Sequence, residues 1–261
     1  MGLDKIRKEI DSVDDSLLEL LNRRCELAIQ VGASKKKSGR PFYVPEREKA
    51  LAERLAEINK GPLPNRALKT IFREVVSASI SLQHPLRVAS LGSVARELFG
   101  ASVEIKAISA VEGIFEAVEN GDCDYGVVPF RDDEGKFIDE TLEALLAGNL
   151  KIIAEREFGE AADIALGKQN TTATGHDHTT VAVTVKRPAN LSKTVAMAME
   201  LHGIEPIAMS VMLSKSAADS KNLLMEIPGH PNDESTRKTL ATISEMLAMA
   251  EITILGGYPV M

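Results

Sequence analysis

The sequence predicts a multi-domain chain, all-α at its N-terminus and α/β after it, and three observations carry that prediction. From Asp4 to about Gln83 apolar residues recur at helical spacing, and from Arg87 onward short β-type runs alternate with helices. From Thr179 the runs follow the order βαββαβ. The expected boundaries are a helical unit over 1–84, an α/β lobe over 85–174 and a βαββαβ unit over 175–261.

In the helical unit, Ile6, Ile10, Val13, Leu17, Leu20, Leu21, Leu27 and Val31 form one apolar stripe, which predicts a helix to about Lys37. Ser38-Gly39-Arg40-Pro41 breaks it, a second helix runs from Pro45 to about Lys60, and Gly61-Pro62-Leu63-Pro64 turns the chain into a third from Asn65 to Gln83. The first helix would be about 50 Å long, more than a three-helix unit can cover with its own chain. Its stripe therefore calls for a second subunit.

His84-Pro85 ends the helical part. Strands are expected at 87–91, 103–107, 125–129 and 151–157, with helices at 94–99, 111–120 and 139–147, a partly parallel sheet. Gly167 to Thr174, rich in Thr, Gly and Asn, reads as a linker or loop. The last unit reads as strand 181–185, helix 191–201, strands 207–213 and 222–227, helix 235–246 and strand 252–255, the ferredoxin-like arrangement.

Composition limits the function. With 261 residues, 44% of them hydrophobic, and a net charge of -7, the chain has material for two or three cores and no global basic field for nucleic acid or an acidic membrane. Any anion site must be local. Met1-Gly2-Leu3-Asp4 begins no signal core and no apolar run reaches membrane-spanning length. Cys25 and Cys123 have no metal-ligand spacing, so a reducing cytoplasm is the expected setting.

The local anion site is legible in the first helix. Arg24 and Lys35 are eleven residues apart, so they project from nearly the same stripe three turns apart. Pro45-Glu46-Arg47-Glu48 opens the second helix, Ser79 and Gln83 lie one turn apart on the third, and Arg7 is near the start of the first. An isolated Arg/Lys pair is usually a solvated rim; here its company points to an anionic ligand.

These segments, from Ile6-Arg7-Lys8-Glu9-Ile10-Asp11 through Asn22-Arg23-Arg24, Lys35, Arg40-Pro41 and Pro45-Glu46-Arg47-Glu48 to Ser79 and Gln83, closely resemble the all-helical class of chorismate mutase. The resemblance implies an intertwined homodimer, with Arg7 supplied to each active site by the partner. It also implies the substrate chorismate, a dicarboxylate that rearranges intramolecularly with no cofactor, metal or nucleophile. Arg7 and Arg24 would bind its carboxylates and Arg47 would add a cation or orient one. Lys35 and Gln83 would donate to the ether oxygen, Glu48 would accept from the ring hydroxyl, and Ser79 would touch a carboxylate. Val44 stands where relatives usually carry Asp, which could cap the second helix and bind the hydroxyl; reduced substrate affinity is expected.

The middle section resembles the first lobe of prephenate dehydratase at Val88-Ala89-Ser90-Leu91-Gly92, Ala117-Val118-Glu119-Asn120-Gly121, Asp124-Tyr125-Gly126-Val127-Val128-Pro129 and Glu140-Thr141-Leu142. Its chemistry is replaced: the loop after Gly92 passes into a helix, Arg131-Asp132-Asp133 stands for an Asn-Ser/Thr pair, and the Thr-Arg-Phe motif is absent. The expectation is a retained scaffold, with Asp132, Asp133 and Glu134 a solvated loop and His176-Asp177-His178 a linker in place of a metal site.

The final unit resembles an ACT domain, with altered ligand motifs at Pro188-Ala189-Asn190-Leu191-Ser192-Lys193 and Ser210-Val211-Met212-Leu213. An amino-acid effector is a candidate partner, and Met197, Met199, Met209 and Met212 read as core filler. Whole-chain resemblance is thus to bifunctional chorismate mutase/prephenate dehydratase proteins. A working bifunctional enzyme, a non-catalytic ACT-containing regulator, and pyruvate elimination from isochorismate are the alternatives.

Overall fold

The computed structural model describes residues 2–92, 94–186, 190–213, 220–247 and 250–261. Helix α1 spans Leu3–Ser38 and stops at Gly39, whose φ of 66° lies in the left-handed region and whose N–H returns to the Lys35 carbonyl. Helix α2 spans Pro45–Ile58, with Pro45 in the first turn, and α3 spans Asn65–Gln83. All three bounds follow the Gly and Pro punctuation of the sequence.

Helix α1 packs on α3 from Arg24, against Val75 and Ser79, to Gly32, against Gln83. Its apolar stripe stays open: Ile10, Val13, Leu17 and Leu20 are 54%, 57%, 52% and 67% exposed. Contiguous exposed apolar strips of this length are uncommon on soluble monomeric chains.

The rest of the described chain forms one nine-stranded sheet in the order β2-β1-β3-β5-β4-β9-β6-β8-β7. Its strands are β1 Arg87–Ser90, β2 Glu104–Ala107, β3 Tyr125–Arg131, β4 Lys151–Phe158, β5 Ala161–Gly167, β6 Asp177–Lys186, β7 Ala208–Leu213, β8 Ser220–Pro228 and β9 Glu251–Pro259. The helices between them are α4 Ala95–Phe99, α5 Val111–Glu119, α6 Asp139–Ala147, α7 Leu191–Leu201 and α8 Glu234–Met246. Strands β2, β1 and β3 are parallel, β5 runs antiparallel to β3 and β4, and β4 pairs in parallel with β9 at Ile152 and Gly256. The last four strands are antiparallel to one another where they pair, arranged fourth-first-third-second within the βαββαβ segment.

Three departures from the sequence reading concern this sheet. Strand β5 was not expected, and the segment read as a linker from Gly167 begins on its last residue. His176-Asp177-His178 is not a linker, because Asp177 and His178 open β6 and pair with Pro259 and Tyr258. Met199 is core, as expected, but Met197 and Met209 are 48% and 39% exposed, so neither is core filler. Pro188 and Ala189 of the altered ligand motif lie outside the described residues.

Packing crosses the unit boundaries. One core joins Ile114, Val118 and Ile152 to Ala182, Leu224, Leu255 and Tyr258, and another joins Tyr43 and Ile80 to Leu86, Val88, Phe99, Tyr125 and Ile153. A third, between α7, α8, β6 and β8, contains Val181, Val195, Leu223, Met225 and Ile243, with Ile252 of β9 packed against it. Tyr43, Phe99 and Tyr125 meet with ring centroids 4.3 to 5.5 Å apart, which ties the α1–α2 connection to the lobe.

Candidate active site

Five of the seven singled-out residues meet on the surface where α1, α2 and α3 converge. The Arg24 guanidinium donates to the Val75 carbonyl at 3.2 Å and, through the same nitrogen, to Ser79 Oγ. Ser79 is buried, its hydroxyl donates to the Val75 carbonyl at 2.7 Å, and its own carbonyl accepts from Gln83 Nε2 at 3.3 Å. Gln83 Oε1 is buried without a partner among the described residues. Lys35 Nζ donates to the Phe42 carbonyl at 2.8 Å, which leaves two of its three protons for a ligand.

Glu48 lies near enough to these cations for their charges to bear on it. Burial pushes its carboxyl up from 4.5 to about 8, while Lys35, Arg73 and Arg24 pull it back down. Burial also lowers Arg24 and Lys35 from their ordinary values, with the Glu48 charge acting in the opposite sense on both. Arg47 is exposed beside them, close enough for its charge to bear on Arg24. Arg24, Lys35 and Arg47 thus bring positive charge to the surroundings of one carboxyl whose ionisation burial opposes.

Arg7 is not part of this group. It lies seventeen positions before Arg24, about 25 Å along the helix, and its side chain is exposed at 3.8 Å from Asp4. Within one chain the cluster therefore lacks the second carboxylate-binding arginine that the resemblance implies. Arg73, which the sequence reading did not single out, pairs with Glu74 at 3.2 Å and Glu97 at 3.6 Å and adds its charge to the surroundings of Glu48. Its position on α3, six residues before Ser79, carries no pattern that would have marked it.

A second charged cluster lies where β3, β4, β6 and β8 meet. Arg131 Nη2 bridges Glu155 at 2.7 Å and Glu157 at 2.9 Å, and Arg131 Nε faces Glu226 at 3.4 Å. His178 Nδ1 lies 3.0 Å from Glu155 and 3.1 Å from Glu226. Burial opposes the charge on His178, but the two carboxylates outweigh it and raise the ring to about 9. Glu155, Glu157 and His178 offer ligand atoms within 4.8 Å of one another. The guanidinium already bridges two of the three, so the arrangement is that of an ion network. Asp132 accepts from the Glu134 and Lys136 amides, closing an exposed turn.

No described helix is long and apolar enough to cross a membrane.

Residues 6–84 match the family chorismate mutase type II, and residues 92–180 match prephenate dehydratase. The bifunctional chorismate mutase/prephenate dehydratase of Aquifex aeolicus is 38% identical over 164 residues, 59% of this chain and 45% of that one. That of Stutzerimonas stutzeri is 33% identical over 182 residues, 65% and 50%. The chain thus spans about half the length of the curated relatives it matches. Among solved structures, a prephenate dehydratase from Streptococcus mutans aligns at TM-score 0.55 and 16% identity, over 67% of this chain and 98% of that one. The quorum-quenching acylase GqqA aligns at 0.57 and 14%, over 66% and 94%. At such identities the likeness is one of fold.

Proposed function

We propose that the chain belongs to the family of bifunctional chorismate mutase/prephenate dehydratase proteins, whose two family models it matches in order, and that it converts chorismate to prephenate in aromatic amino-acid biosynthesis. The single observation that supports this best is the convergence of Arg24, Lys35, Glu48, Ser79 and Gln83 on one α1–α2–α3 face. Chorismate must fold into a diaxial chair before its ether C–O bond breaks and a C–C bond forms. Arg24, helped by Ser79 and Arg47, holds one carboxylate, and Lys35 and the second N–H of Gln83 donate to the ether oxygen as it gains charge. Glu48 accepts from the ring hydroxyl. A million-fold acceleration corresponds to about 8 kcal/mol, within reach of two charge-assisted donors plus selection of the compact conformer.

The second carboxylate falls to Arg7 of a second copy, in a homodimer that buries the open stripe of α1. What supports this is the pairing of that exposed stripe with the remoteness of Arg7 from Arg24. No cofactor or metal enters the reaction, and cytoplasmic localisation suits such a biosynthetic step.

The α/β lobe is read as a scaffold without dehydratase activity. Supporting this, Arg131 and Asp132, which replace the Asn-Ser/Thr pair, are engaged in the ion network and the turn. The C-terminal unit is read as a ferredoxin-like ACT domain on the strength of its fourth-first-third-second strand order, with an amino acid as candidate effector.

One set of assays tests these readings together: purified protein is given chorismate or, separately, isochorismate, with and without phenylalanine or tyrosine, and the product is named. Prephenate is expected. Phenylpyruvate would restore the dehydratase, and pyruvate release from isochorismate would reassign the helical site. No turnover, with an amino acid raising the melting temperature, would favour a regulator.

A further inference from the structure

Helix α2 carries Glu48 into the cluster and Arg47 beside it, yet its own N-terminus has no side-chain cap. Val44 is its N-cap and makes no side-chain hydrogen bond. The first turn is gripped instead by the segment between β5 and β6. Glu46 Oε1 accepts from the Thr172 amide at 2.7 Å and from Thr172 Oγ1 at 3.1 Å. Lys49 Nζ donates to the His176 carbonyl from the same turn.

That segment is itself anchored to the sheet. Thr171 Oγ1 donates to the Gly257 carbonyl of β9. The Asp177 carboxylate, at the start of β6, accepts from the Thr174 amide and hydroxyl, both at 2.7 Å, and from the Gly175 amide at 3.0 Å. A load path therefore runs from β9 and β6 through Thr172 to Glu46, two residues from Glu48.

We propose that Glu46 is a positioning residue for the mutase site, which through Thr172 holds the first turn of α2 so that Glu48 faces Lys35 and Arg24. This rests on the chorismate mutase reading above. Glu46 Oε1 is committed to the amide and hydroxyl of Thr172, so its effect on the reaction passes through Glu48. Losing its hydrogen bonds lets the turn rotate, which weakens the contact with the substrate hydroxyl in ground state and transition state alike.

The test uses the full chain and three variants. Glu46→Ala is expected to raise KM for chorismate about fivefold with kcat nearly unchanged, the scale of one hydrogen bond. Glu46→Gln keeps the accepting Oε1 and is expected to restore the wild-type KM. In a Glu48→Ala background, which has no side-chain acceptor left to position, Glu46→Ala is expected to add nothing.

An unchanged KM in Glu46→Ala, or an equal rise in both backgrounds, overturns the proposal. If the wild type consumes no chorismate, the mutase reading fails, and the positioning claim is read separately by carboxyl NMR titration of Glu48. Its midpoint must move in Glu46→Ala and stay in Glu46→Gln; any other result overturns it.

Discussion

Gly32 on α1 lies so close to Gln83 on α3 that a Cβ at Gly32 would come within 2.8 Å of the Gln83 Cβ. The two helices approach at this point because one of them has no side chain there, and the approach places Gln83 beside Ser79 in the cation-rich cluster. Gly32→Ala is expected to destabilise the chain by about 1–3 kcal/mol through overpacking, and to cut turnover by displacing Gln83. Urea unfolding and steady-state kinetics on the same preparation check both effects; an alanine absorbed without loss of either would show that the contact is slack.

Sharing of a site between two copies has a sharp signature. Arg7→Ala and Arg24→Ala are each expected to be inactive, while their mixture regains about a quarter of wild-type activity after subunit exchange, since half the dimers are mixed and each has one intact site. Activity that fails to return on mixing, from variants that remain helical and dimeric, would place Arg7 outside the site.

Glu48 sets a pH dependence of stability. Its folded value of about 8 lies above the ordinary 4.5, so the folded chain holds the proton longer than the unfolded one. Stability from this group is full below the unfolded value and declines as pH rises toward the folded one. Glu48→Gln removes the titration, so its melting temperature should fall less than that of the wild type between about pH 5 and about pH 9. Parallel curves would mean that Glu48 is ionised throughout.

Val44→Asp supplies the missing cap of α2 and is expected to stabilise the chain by about 0.5–2 kcal/mol and to lower KM for chorismate. Thermal melts and kinetics read the two effects independently.

Arg131→Met leaves the buried Glu155 and Glu226 with the His178 ring as the one cation they share, and is expected to cost about 3–5 kcal/mol, measured by denaturant unfolding. His178→Ala should cost less, because the guanidinium stays.

The parts legible in the sequence were those with short-range causes. The bounds of α3, α6 and α7 agree with the pattern of their apolar residues and breakers, and the Arg24, Lys35, Ser79 and Gln83 spacings place those side chains on facing helices. Strand β5 was missed because Ala161-Ala162-Asp163-Ile164-Ala165-Leu166-Gly167 contains a single β-branched residue. The pairing of Ile152 with Gly256 was invisible for another reason: it joins positions more than a hundred residues apart, and neither strand announces its neighbour. The ion network around Arg131 and the hold of Thr172 on Glu46 depend on that same long-range closure. Arg7 was placed in the site by resemblance alone, and a single chain leaves it apart.

The continuity of β4 with β9 bears on how such a chain can be cut. Excising everything after β5 would leave β4 with a raw rim of amides and carbonyls, and would slice through the apolar mass that Ile152 shares with Leu255 and Tyr258. A truncated version would tend to stick to itself through that rim. Swapping the tail for another module would succeed only where the newcomer offers a matching strand.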